Sequence, residues 1–268
     1  MVGDTMATQT PTLLCIAGFD PSGGAGLQAD IETAAALGVR AACALTCNTV
    51  QDSRDAKEVA VTAPDLLVRQ IECLITDFDI AAIKTGLIPS TKSVEAVAET
   101  ISNPVARTDC SLVVDPVLCD GTGKALCDDG VVQAVRERLL PIAACATPNR
   151  TELAALVPEA ETPAAAAHTL LAENCKAVLV TSEGGEGENL KHTLYLADGT
   201  HRNFLSPRLP GEFHGSGCTL SSAIAAHLAL GKPLHEAVPF ALDFTAQALE
   251  RADAPGKTTQ ARKFPRRL

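Results

Sequence analysis

Residues 12–30 run Thr12-Leu13-Leu14-Cys15-Ile16-Ala17-Gly18-Phe19-Asp20-Pro21-Ser22-Gly23-Gly24-Ala25-Gly26-Leu27-Gln28-Ala29-Asp30. The unbroken apolar run over 12–17 is the pattern of a strand buried on both faces. Residues 26–37 then read as a helix, with Gly38 as its stop signal. Gly23, Gly24 and Gly26 let the backbone between them approach a ligand closely, and Asp20 sits at the strand end. The loop lacks the Gly-Lys-Ser/Thr of a Walker A motif and does not match GxGxxG. Taken alone, it could equally be a tight-packing turn.

The same alternation repeats downstream. Residues 41–50, 80–85, 111–115, 143–147 and 177–181 read as strands, and residues 65–76, 90–101, 128–140 and 162–173 as helices. Ser90 is a plausible helix N-cap. Residues 192–197 and 200–204 flank Asp198-Gly199, a hairpin signal. Residues 218–230 and 234–251 read as two closing helices. Repeated βαβ units require a largely parallel sheet with helices on both faces, a three-layer α/β arrangement. Ligands in such folds bind beyond the carboxyl ends of the strands, so function is sought in those loops. We expect a flexible stretch over 1–11, one domain over 12–253 and a basic, solvated tail over 254–268.

Composition excludes several classes. The 268 residues are 46% hydrophobic and 20% charged, which is globular rather than disordered. No apolar run reaches about 18 residues, so no membrane span is expected. Of 22 basic residues, Lys257, Arg262, Lys263, Arg266 and Arg267 lie in the tail, leaving 17 against 32 acidic residues in the body. Such a body repels nucleic acid and anionic membrane. The ten cysteines include no CxxC pair and sit mostly in apolar runs, as small hydrophobes in a reducing cytoplasm.

Four strand-end loops carry chemistry-bearing residues besides Asp20. His214-Gly215-Ser216-Gly217-Cys218-Thr219 opens a small-residue helix. Its glycines and the positive helix end suit a phosphate. Cys218 falls in the first turn, where a thiol's pKa is expected to fall, and a thiolate there could take a proton from a hydroxyl. Asn149-Arg150-Thr151-Glu152 places both polar ends on one side of a first turn. It is either a capping pair or a site where Glu152 holds magnesium through water. Asp115-Pro116-Val117 ends a Val-rich strand ahead of Asp120-Gly121-Thr122-Gly123-Lys124, where an acid can face a metal and glycines can cover a ligand. Gln51 ends the second strand, either to read a heteroaromatic edge or as a surface amide.

Together these motifs resemble the hydroxymethylpyrimidine/phosphomethylpyrimidine kinase family of the ribokinase-like superfamily, over about residues 13–252. Residues 16–30 look like the family's opening signature and residues 214–221 like its closing one, with Asn149-x-x-Glu152 between. The resemblance implies a ribokinase-like three-layer αβα domain, a homodimer, ATP as co-substrate and Mg2+. It implies two successive phosphorylations, of 4-amino-5-hydroxymethyl-2-methylpyrimidine and then of its monophosphate. It places Asp20, Gly18, Gln51 and Val117 against the pyrimidine and Asn149 and Thr181 at the nucleotide. Gly215, Ser216 and Gly217 form the γ-phosphate anion hole, Cys218 stands in the base position, and Glu152 and Asp115 are linked to Mg2+. Two features depart from the pattern. Thr181-Ser182-Glu183-Gly184-Gly185 stands where many members have Lys-Gly-Gly, and Lys124 is the candidate replacement charge. Residues 183–190, with three glycines and three glutamates, read as a mobile segment. Pyridoxal kinase, a non-catalytic pyrimidine or nucleotide sensor and a Rossmann oxidoreductase are the rival readings, the last lacking its GxGxxG.

Overall fold

The computed structural model describes residues 9–107, 110–120, 123–185, 187–258 and 261–268, without the side chains of 106 and 107. Residues 1–8 of the expected flexible stretch, Gly121 and Thr122 of the second glycine run, and Glu186 lie outside the described residues.

The opening stretch forms strand β1 (Thr12–Phe19), buried from Thr12 to Gly18, and helix α1 (Gly26–Ala36). Strands β2 (Arg40–Gln51), β4 (Ile80–Thr85), β5 (Ser111–Val114), β6 (Cys145–Ala146) and β7 (Ala177–Gly184) follow the expected alternation. Strand β3 (Ala56–Val61) returns antiparallel on β2 and was not legible, because its residues are mostly exposed and show no buried apolar stripe. The hairpin is β8 (Asn189–Leu196) and β9 (His201–Pro207). Its turn closes with Asp198 Oδ1 accepting from Thr200 N at 2.9 Å.

Among the described residues the sheet has nine strands in the order β3-β2-β1-β4-β5-β6-β7-β8-β9. From β2 to β7 all pairings are parallel, and the antiparallel strands stand at the two edges. β2 flanks β1 on one side and β4 on the other, so the strand order reverses at β1. Such a reversal opens a crevice at the carboxyl ends of the strands.

The strands' two faces are both apolar. Leu14 and Ile16 pack towards helices α2 (Pro64–Asp77), α3 (Thr91–Arg107), α5 (Arg150–Leu156) and α6 (Pro163–Ala172). Leu13, Cys15 and Ala17 pack towards α1, α7 (Ser216–Ala229) and α8 (Leu234–Glu250). This is the expected three-layer arrangement. Helix α4 (Val131–Ala134) is shorter than the expected 128–140, because the chain widens into a π-turn over Val135–Leu139. Arg136 in that turn binds Glu173 at 2.7 Å and Glu159 at 2.7 Å, tying it to the ends of α6 and α5.

The expected mobile segment is partly strand. Glu183 belongs to β7, where its Oε1 accepts from the Tyr195 hydroxyl at 2.8 Å and its other oxygen accepts from Thr193. The basic tail is not solvated: Arg262 and Arg267 are buried, and residues 261–268 dock against the body.

One core contact is ionic. Lys84 on β4 is fully buried, and its Nζ donates to Asp30 Oδ1 of α1 at 2.9 Å. Ser222 Oγ of α7 donates to the same oxygen at 2.7 Å, so three elements meet at one carboxylate. Burial by itself would lower the Lys84 ammonium, but the charges of Asp30, Cys218 and Asp115 hold it above its ordinary value. Breaking a buried pair strands one charge without a partner. Lys84→Met is therefore expected to cost about 3–5 kcal/mol, read from the urea midpoint. A loss below about 1 kcal/mol would reduce the pair to the worth of a surface contact.

Candidate active site

The carboxyl ends of β1, β2, β5, β6 and β7 open onto one cavity of about 610 Å³. Gly18, Asp20, Gln51, Asp115, Val117, Asn149, Glu152, Thr181, Gly215, Ser216, Gly217 and Cys218 all line it, so of the residues expected at a site all but Lys124 are brought to it. With strands about 4.8 Å apart, the five spacings from β2 to β7 span about 24 Å, enough for a nucleotide and an acceptor end to end.

The loop before α7 is built on Gly215, whose φ of +84° a side chain disfavours. A Cβ there would meet Gly24 O at 2.0 Å, so the two glycine loops touch. Gly215 is the N-cap of α7, with no side chain capping the helix. The backbone N–H groups of Ser216, Gly217 and Cys218 precede the first intrahelical bond, Thr219 N to Gly215 O at 2.9 Å. Three free N–H groups at a positive helix end form an anion site.

Asp20 is buried and its carboxylate is already committed. Oδ1 accepts from Ser22 N at 2.9 Å and Ser22 Oγ at 2.7 Å, while Oδ2 accepts from Ala25 N at 2.9 Å and lies 2.8 Å from His214 Nε2. Four partners use the carboxylate's lone pairs, so Asp20 organises its loop rather than standing open to a ligand. Burial would raise its pKa, but the bonds from His214 and Ser22 bring it below the ordinary carboxylate value. The ring nitrogen His214 Nε2 stands between Asp20 and Gln51, its role as donor or acceptor set by the ring tautomer. Gln51 Nε2 lies 2.6 Å from the same ring nitrogen, so Asp20, His214 and Gln51 form one cluster at the acceptor end.

Asp115 lies on the opposite side of the anion loop, within 3.9 Å of the space a Cβ on Gly217 would fill. Its Oδ2 accepts from Ser221 Oγ at 3.0 Å. Burial raises its pKa, Lys84 opposes the rise and Asp30 adds to it. Asn149 and Glu152 realise the capping alternative: Asn149 Oδ1 accepts from Thr151 N at 2.8 Å and Glu152 N at 3.0 Å, and Glu152 Oε2 accepts from Asn149 N at 2.9 Å. Glu152 still lines the cavity, and burial together with Asp115 pushes its pKa up to about 8. Val117 turns tightly, its N–H donating to Asp115 O at 2.9 Å.

Two expectations fail. Cys218 is half-buried, and burial pushes its thiol up to about 12; Lys84 opposes the rise, and Asp115 and Asp30 reinforce it. The helix end alone predicts a thiolate, but these carboxylates and the low-dielectric surroundings override it. Lys124 is no phosphate ligand: its Nζ donates to Ala56 O at 2.8 Å and Lys57 O at 3.3 Å on β3.

Sequence reasoning passed over Lys84, Arg208 and His192 as site residues. Among the described residues, Lys84 and Arg208 are the lysine and arginine side chains that line the cavity, against the acids Asp20, Asp115, Asp120 and Glu152. Lys84 is bound to Asp30, whereas the exposed Arg208 makes, among the described residues, only a backbone bond, to Glu188 O. His192 of β8 accepts from Ser182 N at its Nδ1, 3.4 Å away, and its Nε2 has no partner within the described residues.

A family model described as phosphomethylpyrimidine kinase matches residues 20–262. The hydroxymethylpyrimidine/phosphomethylpyrimidine kinase of Streptomyces coelicolor is 36% identical over 255 residues, covering 93% of this chain and 92% of that protein. The thiamine biosynthetic bifunctional enzyme TH1, chloroplastic, of Arabidopsis thaliana is 36% identical over 250 residues; the match covers 90% of this chain and 47% of that longer protein. Among solved structures, the pyridoxal kinase from Staphylococcus aureus in complex with AMP-PCP and pyridoxal superposes with a TM-score of 0.84 at 26% identity, covering 97% of this chain and 94% of that one. The phosphomethylpyrimidine kinase from Clostridium difficile gives 0.76 at 27% identity, covering 90% of this chain and 99% of that one.

The buried imidazole of His192 has a measurable signature. Burial lowers the His192 pKa from 6.5 to about 4, so it is neutral in the folded protein at neutral pH. Unfolding lets it bind a proton near pH 6.5, so stability is full above that value and falls as the pH drops towards 4. His192→Gln is expected to flatten that fall by up to about 3 kcal/mol in denaturation curves between about pH 7.5 and 4.5. Parallel pH profiles for the two proteins would show that His192 is already charged when folded.

Proposed function

The chain belongs to the phosphomethylpyrimidine kinase family, and from that premise we propose that its cavity runs two successive reactions. The γ-phosphoryl group of one ATP passes to the hydroxyl of 4-amino-5-hydroxymethyl-2-methylpyrimidine, and that of a second ATP passes to the resulting monophosphate. These are steps of thiamine biosynthesis. The observation that carries this reading is the uncapped start of α7, whose free N–H groups lie between the Asp20–His214–Gln51 cluster and the nucleotide end of one cavity.

Phosphoryl transfer is governed by alignment and charge neutralisation more than by covalent chemistry. The N–H groups of residues 216–218 hold the γ-phosphoryl oxygens. Gln51, Gly18 and the Val117 backbone hold the pyrimidine in plane, with Asp20 and His214 fixing the loop around it. Asn149 and Thr181 flank the nucleotide. Arg208 supplies a positive charge at that end in place of a lysine in β7. In each step the new O–P bond to the acceptor forms as the bond to the β-phosphate's bridging oxygen breaks. A thiol raised to about 12 keeps its proton, so Cys218 orients the acceptor oxygen and the acceptor's proton leaves late, to a phosphoryl oxygen.

Asp115 and Glu152 suit a cation, since Asp115 is buried, both line the cavity, and burial and the charge of Asp115 raise the half-buried Glu152. Mg2+ would be held by Asp115 and Glu152 through water, together with the nucleotide's phosphates. When bound, it neutralises β- and γ-phosphate oxygens. The exposed apolar side chains of Val50 and Val61 on neighbouring strands support a homodimer. A second acceptor, pyridoxal, is favoured by the higher TM-score to a pyridoxal kinase.

A coupled ADP assay with the hydroxymethylpyrimidine, its monophosphate and pyridoxal tests this function. Turnover of both pyrimidines is expected, and turnover of pyridoxal alone would reassign the acceptor. Cys218→Ala is expected to keep pyrimidine affinity and lower kcat about 10–100-fold, the cost of losing an orienting group, with Cys218→Ser recovering part. Near-normal turnover of the alanine variant would remove Cys218 from the chemistry. Arg208→Ala is expected to raise the KM for ATP about tenfold or more while adenosine binding is unchanged. An equal loss for adenosine would place Arg208 on the nucleoside instead.

A further inference from the structure

Arg267 is a buried guanidinium in a segment that forms neither helix nor strand, and it lies beyond the residues matched by the family model. Its side chain is 1% exposed. Nε donates to Thr219 Oγ1 at 2.9 Å, Nη1 to Glu32 Oε2 at 3.0 Å and Nη2 to Gly24 O at 2.6 Å. Those acceptors belong to the first turn of α7, to α1 and to the loop after β1. The guanidinium thus sits at the seam where the two glycine loops touch: a Cβ on Gly215 would lie 2.9 Å from Arg267 Nη2.

The chain of bonds continues into the anion site. The Thr219 hydroxyl, which accepts from Arg267, donates to Gly215 O at 2.8 Å. Thr219 N donates to the same oxygen at 2.9 Å. A peptide group is planar and trans, so fixing the Gly215 carbonyl fixes the Ser216 N–H, which points the opposite way in the same plane. A donor that is itself charged strengthens such a relay. The rest of the segment holds the neighbouring residues: His214 N donates to Lys263 O at 2.9 Å, and the Phe264 ring packs on the His214 ring with centroids 5.6 Å apart.

A buried charge is a poor way to gain stability alone, since apolar packing does as well or better. Three acceptors on three elements, matched to a planar fork, indicate alignment. We propose that Arg267 is a positioning residue for phosphoryl transfer. It locks the acceptor loop and the γ-phosphate loop into one body and sets the direction of the Ser216 N–H. This rests on the kinase reading above.

Steady-state kinetics and calorimetric binding of Arg267→Gln, Arg267→Lys and Thr219→Val test it, after ADP formation by the unaltered chain has been measured. A misplacement of about 1 Å costs on the order of 10²-fold in rate, so Arg267→Gln is expected to lower kcat about 10–100-fold. Dissociation constants for ATP and the pyrimidine should stay within about threefold. Lys, a point charge unable to span three acceptors, should recover only part. Thr219→Val should lower kcat alone, and the double variant with Arg267→Gln should be no worse than the poorer single variant. Methylguanidinium should raise kcat of Arg267→Gly without raising its Tm in proportion. The proposal fails if folded Arg267→Gln turns over within twofold of the unaltered chain, if the loss lies in the dissociation constants, or if the Thr219 and Arg267 losses multiply. If Arg267→Gln does not fold, Arg267→Lys and Thr219→Val decide by the same split. A chain inactive before substitution overturns the kinase reading instead.

Discussion

The contact between Lys84 and Asp30 underlies both the architecture and the site. It is the point where a central strand, the helix after the first glycine loop and the helix after the second are held together. Ser222 completes it on one side, while the other carboxylate oxygen, Asp30 Oδ2, has no partner among the described residues. The ammonium also lies near Cys218 and Asp115, so the charge that fixes the core shapes the field at the cavity floor. A fold that lost this pair would lose the spacing between its two ligand loops as well as stability.

That arrangement explains the electrostatics of the cavity. An acidic protein that takes a nucleotide needs a local reversal of field, and here it is divided. In the function proposed above, main-chain N–H groups at α7 supply one part and the exposed Arg208 the other. The raised carboxylates reflect crowding of like charges in a dry place. Cys218 belongs to the same balance: a thiol near two carboxylates resists ionisation despite its place at a helix start.

How far the sequence carried the argument depended on how local each feature is. The strand over 12–17, its glycine loop and the helix start after the second, expected at 218 and found at 216, are encoded within single stretches, and so were legible. The alternation of strand and helix was legible for the same reason, down to the Asp198-Gly199 turn. Strand β3 was not, because most of its side chains face solvent. Lys84 ends a run that reads as an ordinary strand, and its burial depends on Asp30, 54 residues away. Arg267 reads as part of a solvated basic tail until its bond to Gly24, 243 residues earlier, is known. The thiolate expectation failed in the same way, since the acids that overrule the helix come from β5 and α1.

The backbone approach of Gly24 and Gly215 also ties the evolution of the two loops together. A methyl group on Gly24 would meet the His214 ring at 2.3 Å, and one on Gly215 would meet the Gly24 carbonyl at 2.0 Å. Neither position can drift to alanine while the other stays in place. A change in the backbone of either loop therefore demands a matching change in the other, although nearly two hundred residues of chain separate them.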